Sequence, residues 1–331
     1  MHSVIIPAIN EPLLGWTVDN VKRVSPDAEI IVMEDKKHEG VGQMRHRGIK
    51  KAKHDTVIII DGHMDFAKNC FKLLDSHVKK NPKSIACPEC RGLDKDLKPK
   101  QMNRFGADLY EVQPGGTTHK PNVFVSKWRK SESKKTHSVP SVLGACYAFS
   151  KDWYMDGLGG VWKHHRGWGK SEQMLCLMNH YMGGDSVCVA STYAAHLFRK
   201  GRVIENHGFL KRNTMLLLHG FVPEKRRDEL LNTFCPVNRT PDYGIKTLKH
   251  ESCIADIRQW ISDKAVKTYA DLQKIMKQVP GTTNYGANEQ PRACPKCKGI
   301  ASRVIKTYSP ARRKRTCLSC GGQYVTFTAT P

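Results

Sequence analysis

Thr56-Val57-Ile58-Ile59-Ile60-Asp61-Gly62-His63 is the stretch whose reading decides the fold. Five β-branched residues in a row read as a strand buried on both faces. Residues two apart on an extended chain project to the same side, so the Asp61 carboxylate and the His63 imidazole meet where the strand ends. One oxygen and one nitrogen ligand, with other positions open, suit a divalent ion such as Mn²⁺ that also grips a diphosphate. An Asp and a His at a strand end are more often plain loop residues, so the flanking sequence has to carry the reading.

Upstream, His2 to Pro7 supplies a first apolar strand, Ser3-Val4-Ile5-Ile6-Pro7, and Asn10-Glu11 opens the loop after it. A second strand, Glu29-Ile30-Ile31-Val32-Met33, ends in Glu34-Asp35. Gly42 to Lys53 reads as a helix with Met44, Ile49 and Ala52 apolar and basic residues between. Strands alternating with helices over short connections predict an α/β fold with a Rossmann-like, mostly parallel sheet. Ligands of such sheets lie at the carboxyl ends of the strands, where Glu34-Asp35 and Asp61-Gly62-His63 both fall.

These segments resemble the glycosyltransferase A fold, and within it the polypeptide N-acetylgalactosaminyltransferases and the family 2 glycosyltransferases. The resemblance rests on Glu39-Gly40, Arg45, Arg47 and Gly48 ahead of Asp61 and His63. It continues through Leu143-Gly144-Ala145-Cys146-Tyr147-Ala148-Phe149, Trp168-Gly169-Lys170-Ser171-Glu172, Gly183-Gly184 and His196-Leu197-Phe198-Arg199, with Asn213 in the helix beyond. It covers residues 2–235. It implies that Asp61, His63 and His196 hold Mn²⁺ or Mg²⁺, and that Pro7, Asp35, Arg45, Asp61 and Gly144 bind a UDP-sugar donor. Asp35 would accept hydrogen bonds from uracil or ribose, and Arg199 with Arg45 would donate to phosphate oxygens. Trp168, Glu172 and Arg199 are the implied catalytic residues, with retention of configuration at the sugar. Two positions depart from the family pattern. Ser171 stands where the family has glutamate, with Glu172 one residue later, and Gln43 replaces the first helix arginine. Read on its own, His196 is an ordinary core histidine, and Arg45 and Arg47 are a solvated basic helix face.

The 331 residues carry 54 Lys+Arg against 31 Asp+Glu, a net charge of +23. Such an excess favours polyanions, either nucleic acid or an acidic membrane surface. No apolar run approaches the ~18 residues of a membrane helix, and the opening residues lack the pattern of a signal peptide. Twelve scattered cysteines suit reduced thiols. A cytoplasmic setting is expected, that of the host cell if the chain is viral.

Cys294-Pro295-Lys296-Cys297 and Cys317-Leu318-Ser319-Cys320 are two Cys-x-x-Cys knuckles nineteen residues apart, the spacing of a zinc ribbon closed by four thiolates. Pro291 to Pro331 holds nine Lys/Arg and no Asp or Glu, with Arg312-Arg313-Lys314-Arg315 directly before the second knuckle. Basic residues beside Tyr324 and Phe327 suit phosphate contact and base stacking. Protein–protein ribbons are the other common use of this element. A second basic run, Lys127-Trp128-Arg129-Lys130 with Lys134-Lys135, reads as an insertion or a nucleic-acid-contacting loop, with His164-His165-Arg166 on the same face. Cys87-Pro88-Glu89-Cys90 has no partner pair and reads as core strand.

The expected organisation is a catalytic domain over 1–240, a helical appendix over 241–281, a linker over 282–290 and the ribbon over 291–331. In the appendix, Ile254, Ile257 and Ile261 form one stripe, and Thr268 opens a helix with Leu272, Ile275 and Met276 inward. The expected acceptor is DNA carrying 5-hydroxymethylcytosine or 5-hydroxymethyluracil, since unmodified bases offer no nucleophilic hydroxyl. Bacterial viruses modify their genomes in this way. The alternatives are transfer to a protein Ser or Thr, with the ribbon on a protein partner, and a non-catalytic DNA-binding module.

Overall fold

The computed structural model describes residues 1–112, 123–130, 135–143, 145–199, 207–234, 252–277, 302–309, 312–317 and 323–327. They group into two compact units. The first is built on a sheet whose strands are, in chain order, β1 (Ser3–Ala8), β2 (Glu29–Glu34), β3 (Thr56–Ile60), β4 (Met64–Phe66), β5 (Ser84–Leu93), β6 (Pro99–Arg104), β9 (His137–Ser138), β10 (Cys146–Ser150) and β11 (Asp185–His196). Their order across the sheet is β2-β1-β3-β10-β5-β11-β4, with β6 on β5 and β9 on β11. β7 (Ala107–Val112) and β8 (Val123–Trp128) form a separate antiparallel pair.

β1, β2 and β3 run parallel, as do β5 and β11. β10 joins these two sets and runs antiparallel to both neighbours, so the sheet is mixed. Every residue of β3 is buried, which is why its apolar run has no polar alternation. Pro88 interrupts β5 without a backbone N–H, and β11 changes register at this point: Val189 pairs with Pro88, but Tyr193 pairs with Glu89. Prolines inside sheets are found at such irregularities because they cannot complete the ladder. Beyond the bulge β11 continues to His196, opposite Met64 of β4 and Gly92 of β5. Cys87 and Cys90 lie buried in β5 as core-strand residues.

Helices α1 (Leu14–Val24), α2 (Val41–Lys51) and α3 (Cys70–Lys80) pack on the sheet through apolar stripes. On α3 these are Cys70, Phe71, Leu74 and Val78, a spacing that fits one helix face. On α2 a Cβ at Gly48 would lie 2.5 Å from Ile5 Cγ2, so glycine lets the helix settle on β1. Thr17 of α1 is fully buried; its hydroxyl donates to Gly62 O at 2.8 Å and accepts from Met64 N at 3.0 Å. One threonine thus fixes the Asp61-Gly62-His63 turn. α4 (Ser171–Tyr181) is buried along nearly its whole length, and α5 (His207–Phe221) and α6 (Glu224–Phe234) follow. α7 (Cys253–Lys264) packs on α5, with Ile257 against Gly220. α8 (Tyr269–Ile275) opens on a capping box between Thr268 and Asp271, and Leu272 and Met276 are buried.

The second unit contains an antiparallel sheet of β12 (Ser302–Ser309), β13 (Arg312–Cys317) and β14 (Gln323–Phe327). Arg312-Arg313-Lys314-Arg315 therefore belongs to a strand, with Cys317 at its end. Cys294, Cys297 and Cys320, and the 282–290 linker, lie outside the described residues.

Candidate active site

Asp61, His63 and His196 converge at the carboxyl ends of β3 and β11, their candidate ligand atoms all within 4.8 Å of one another. The two histidine Nε2 atoms are 2.9 Å apart, and His196 Nε2 lies 3.5 Å from Asp61 Oδ2. His63 Nδ1 donates to Glu11 Oε2 at 3.0 Å, which leaves the Nε2 lone pair facing the other two ligands. Carboxylate-oriented imidazoles of this kind are typical of metal-binding histidines. Burial and the neighbouring His196 lower the His63 pKa, favouring the neutral ring that a metal requires. Burial alone would raise the Asp61 carboxyl, but His196 and Arg45 outweigh it and hold the pKa below the ordinary range. One anionic oxygen and two neutral nitrogens fit Mn²⁺ or Mg²⁺, with positions left for a diphosphate.

Glu11 ties this cluster to the chain's Arg199. The guanidinium engages both carboxylate oxygens, Nη1 reaching Oε2 at 3.1 Å and Nη2 pairing with Oε1. Arg199, expected to donate to phosphate, thus already shares its charge with Glu11. The signal for Glu11 was in the sequence, a carboxylate just past the end of the first strand, but nothing local showed which histidine it would meet.

On the opposite wall, the Asp35 carboxylate accepts from Glu39 N at 2.8 Å and Gly40 N at 2.7 Å. This shapes the entry to α2. Gly40 has φ +103° and pairs with Gly167; Gly167 N donates to Glu39 O at 2.9 Å and Val41 N donates to Gly167 O at 3.1 Å. A Cβ at Gly40 would lie 2.1 Å from Gly167 N, so the two loops touch backbone to backbone. Asn213 of α5 completes the clamp by donating to Arg166 O at 2.7 Å and Gly169 O at 3.0 Å. His165, held under this loop, donates from Nε2 to Gly169 O at 2.8 Å, and burial pulls its pKa down to about 3.

Arg45 corrects the expectation of a solvated helix face. It is 3% exposed, stacked near the rings of Tyr147 and Trp162, and donates to Ser171 Oγ at 2.9 Å and Glu172 Oε1 at 3.0 Å. Its Nη2 lies 3.7 Å from Asp61 Oδ1, so the guanidinium bridges the metal-ligand carboxylate and Glu172. Burial opposes its charge, but Tyr147, Glu172 and Asp61 stabilise it more. Arg47, by contrast, is partly exposed and pairs with Glu39. Ser171, at the place of the family glutamate, hydrogen-bonds Glu172 Oε2 at 2.9 Å.

Pro7, Asp35, Arg45, Asp61, His63, Trp168, Glu172 and His196 line one cleft of about 1060 Å³ with Leu143, Ala145 and Phe198. Gly144 lies outside the described residues. Trp168 is 54% exposed at the mouth. Lys170, which the sequence did not single out, also lines the cleft. It has φ +69° and donates from Nζ to Val123 O at 2.7 Å and Phe124 O at 3.1 Å, and burial pulls its pKa down to about 8. Lys127 and Trp128 close β8, with Arg129 and Lys130 just beyond. Lys127 and Trp128 pair with Asp108 and Ala107, and Arg129 exchanges backbone hydrogen bonds with Phe105 and Gly106, while Lys134 of the same basic run lies outside the described residues.

Residues 29–156 match the model of the family described as glycosyl transferase family 2. The match spans 128 of the 331 residues. The chain is 21% identical to polypeptide N-acetylgalactosaminyltransferase 11 of Xenopus tropicalis over 294 residues, covering 85% of this chain and 46% of that protein. It is 24% identical to a putative polypeptide N-acetylgalactosaminyltransferase 10 of Caenorhabditis briggsae over 221 residues, 62% of this chain and 32% of the relative. The chain therefore spans less than half the length of either relative. Its fold matches the crystal structure of GalNAc-T7 with UDP, GalNAc and Mn²⁺ at a TM-score of 0.65 and 15% identity, over 95% of this chain and 62% of that one. Among the described residues, no helix is long and apolar enough to cross a membrane.

Proposed function

We propose that this glycosyltransferase moves a sugar from a UDP-sugar to the hydroxymethyl group of a modified pyrimidine in DNA. The observation that carries the sugar-transfer half is the Asp61–His63–His196 cluster at the strand ends of a glycosyltransferase fold. Asp61, His63 and His196 would hold Mn²⁺, which supplies Lewis-acid neutralisation of the departing diphosphate. Glu11 orients His63, and Arg199 balances the charge of Glu11. The bond from the anomeric carbon to the phosphate oxygen breaks as the bond to the acceptor oxygen forms. Glu172 is clamped by Arg45, Ser171 and Tyr147, with Tyr147 Oη 3.4 Å from Oε1, so both of its carboxylate oxygens are already engaged as acceptors. The acceptor proton then passes to the leaving phosphate, which favours retention.

The DNA half is supported by the charge of +23 and by the basic strand Arg312–Arg315. Cys294, Cys297, Cys317 and Cys320 would close a structural Zn²⁺ site beside that strand, by their spacing. The acceptor base would be extruded from the duplex so that its hydroxymethyl group reaches the sugar. A specific observation favours a second reading, transfer to Ser or Thr of a protein: both matched relatives are polypeptide N-acetylgalactosaminyltransferases.

The test is nucleoside mass spectrometry after incubating hydroxymethylated DNA with a panel of UDP-sugars and Mn²⁺. A glycosylated nucleoside is expected, and Asp61→Ala is expected to abolish it while DNA binding persists. A product on Ser/Thr peptides with none on DNA would replace the first reading by the second.

A further inference from the structure

Arg104, the last residue of β6, is a cation without a counter-ion among the described residues, packed against Phe198 of the cleft wall. Its guanidinium lies 4.5 Å from the ring centre of Phe198 and 5.2 Å from that of Trp128. Its Nη1 is buried and makes no hydrogen bond, and among the described residues no carboxylate stands within ion-pair distance of it. Three other arginines differ in this respect. Arg45 has Glu172, Arg91 has Glu89 and Arg199 has Glu11. A guanidinium with an unused donor is costly to bury, and its planar fork suits an incoming oxyanion.

The position shows which anion it can meet. Phe198 lines the cleft, is 41% exposed, and sets its ring edge-on to His196 with centroids 4.4 Å apart. Arg104 is therefore one ring removed from the metal-binding cluster. The donor diphosphate belongs with Asp61, His63 and His196, and Phe198 stands between that cluster and Arg104. The anion for Arg104 has to arrive with the acceptor. An arginine between two aromatic rings offers both a phosphate contact and faces on which an unstacked base can rest.

We infer that Arg104, held between Trp128 and Phe198, takes a phosphodiester of the acceptor strand as the target nucleotide enters the cleft. This rests on the DNA reading above and names the residue that would position the acceptor. Arg104 was hidden in the sequence because Pro99-Lys100-Gln101-Met102-Asn103-Arg104 has no apolar alternation and reads as loop.

The experiment is fluorescence anisotropy of a labelled single-stranded oligonucleotide with the full chain, titrated across a series of KCl concentrations. Arg104→Gln is expected to weaken binding and to reduce the slope of log K against log[KCl] by about 0.7, the loss of one phosphate contact on a single strand. Arg104→Lys is expected to keep the slope but bind more weakly, because the charge remains and the planar stack is lost. Mn²⁺ affinity, read by electron paramagnetic resonance, is expected to hold in both variants, which separates this role from a general loss of structure. A wild-type slope in Arg104→Gln would overturn the inference, even with DNA glycosylation intact. Weaker binding of an acidic peptide with unchanged DNA binding would also overturn it, in favour of a protein acceptor. A reduced slope with no sugar transfer to any hydroxymethylated DNA would leave Arg104 as a phosphate contact and reject the acceptor reading instead.

Discussion

Glu11→Gln removes one negative charge and no volume, from a carboxylate whose side chain is 6% exposed. In the native site this carboxylate accepts from His63 Nδ1 at 3.0 Å and from Arg199. The amide retains one acceptor oxygen, so one hydrogen bond from His63 or Arg199 can survive, but without the carboxylate's charge. A charge-assisted bond is about twice as strong as a neutral one, so the loss is roughly 1–2 kcal/mol. Arg199 also becomes an unbalanced cation beside a dication, which adds to the cost. Replacing such partners of metal-ligating histidines typically weakens metal binding by about 10–100-fold, and the variant is expected in that range. The assay is electron paramagnetic resonance of free Mn²⁺ against protein concentration at neutral pH, with far-UV circular dichroism to show that the fold persists. Unchanged Mn²⁺ affinity in a folded Glu11→Gln protein would refute the argument, because neither the orientation of His63 nor the local charge balance would then depend on Glu11.

Other consequences of the geometry can be measured directly. His196→Ala is expected to weaken Mn²⁺ and UDP-sugar binding together, since one ion would link them; calorimetry showing loss of only one would contradict the cluster. Gly40→Ala puts a side chain on a residue with φ +103° and directly against Gly167 N. The expected cost is about 2 kcal/mol or more, read as a fall in Tm of several degrees with a raised donor KM. His165 has a folded pKa of about 3 against an unfolded value near 6.5, so the unfolded chain binds more protons between them. Stability from this residue is therefore complete above pH ~6.5 and is lost on acidification towards pH 3, by up to about 1.4 kcal/mol per pH unit. Burial lowers His46 and His164 to about 4 each, so they act in the same direction. Urea unfolding at pH 7 and pH 5 checks the slope, which is expected to flatten in His165→Gln.

The strand-end logic was legible because β3 is β-branched throughout, with no polar alternation, and its ligands follow at once. Glu34-Asp35 was legible for the same reason, closing an extended run, whereas His196 was reached only through the family resemblance. Arg45 was not. It and Arg47 look alike in one dimension, and only the arrival of Ser171 and Glu172, more than a hundred residues later, buries one and leaves the other partly exposed. The antiparallel course of β10 was equally hidden, since an apolar run does not record its direction. Lys170 and Arg104 escaped notice because their meaning depends on carbonyls and rings supplied by other segments. The four cysteines of the expected ribbon were read from spacing alone, and only Cys317 falls among the described residues.

His63 and His196 are 133 positions apart in the chain, yet their imidazoles face each other across 2.9 Å. A ribosome adding about 5–20 residues per second needs roughly 7–27 seconds to travel that distance. β10 is made part-way through that interval and β11 only at its end, so Asp61 and His63 wait without their third partner. Assembly of the metal grip is thus a late event of synthesis. A nascent polypeptide stalled before Asp185 would carry the most recognisable motif of the chain and still be unable to close on an ion.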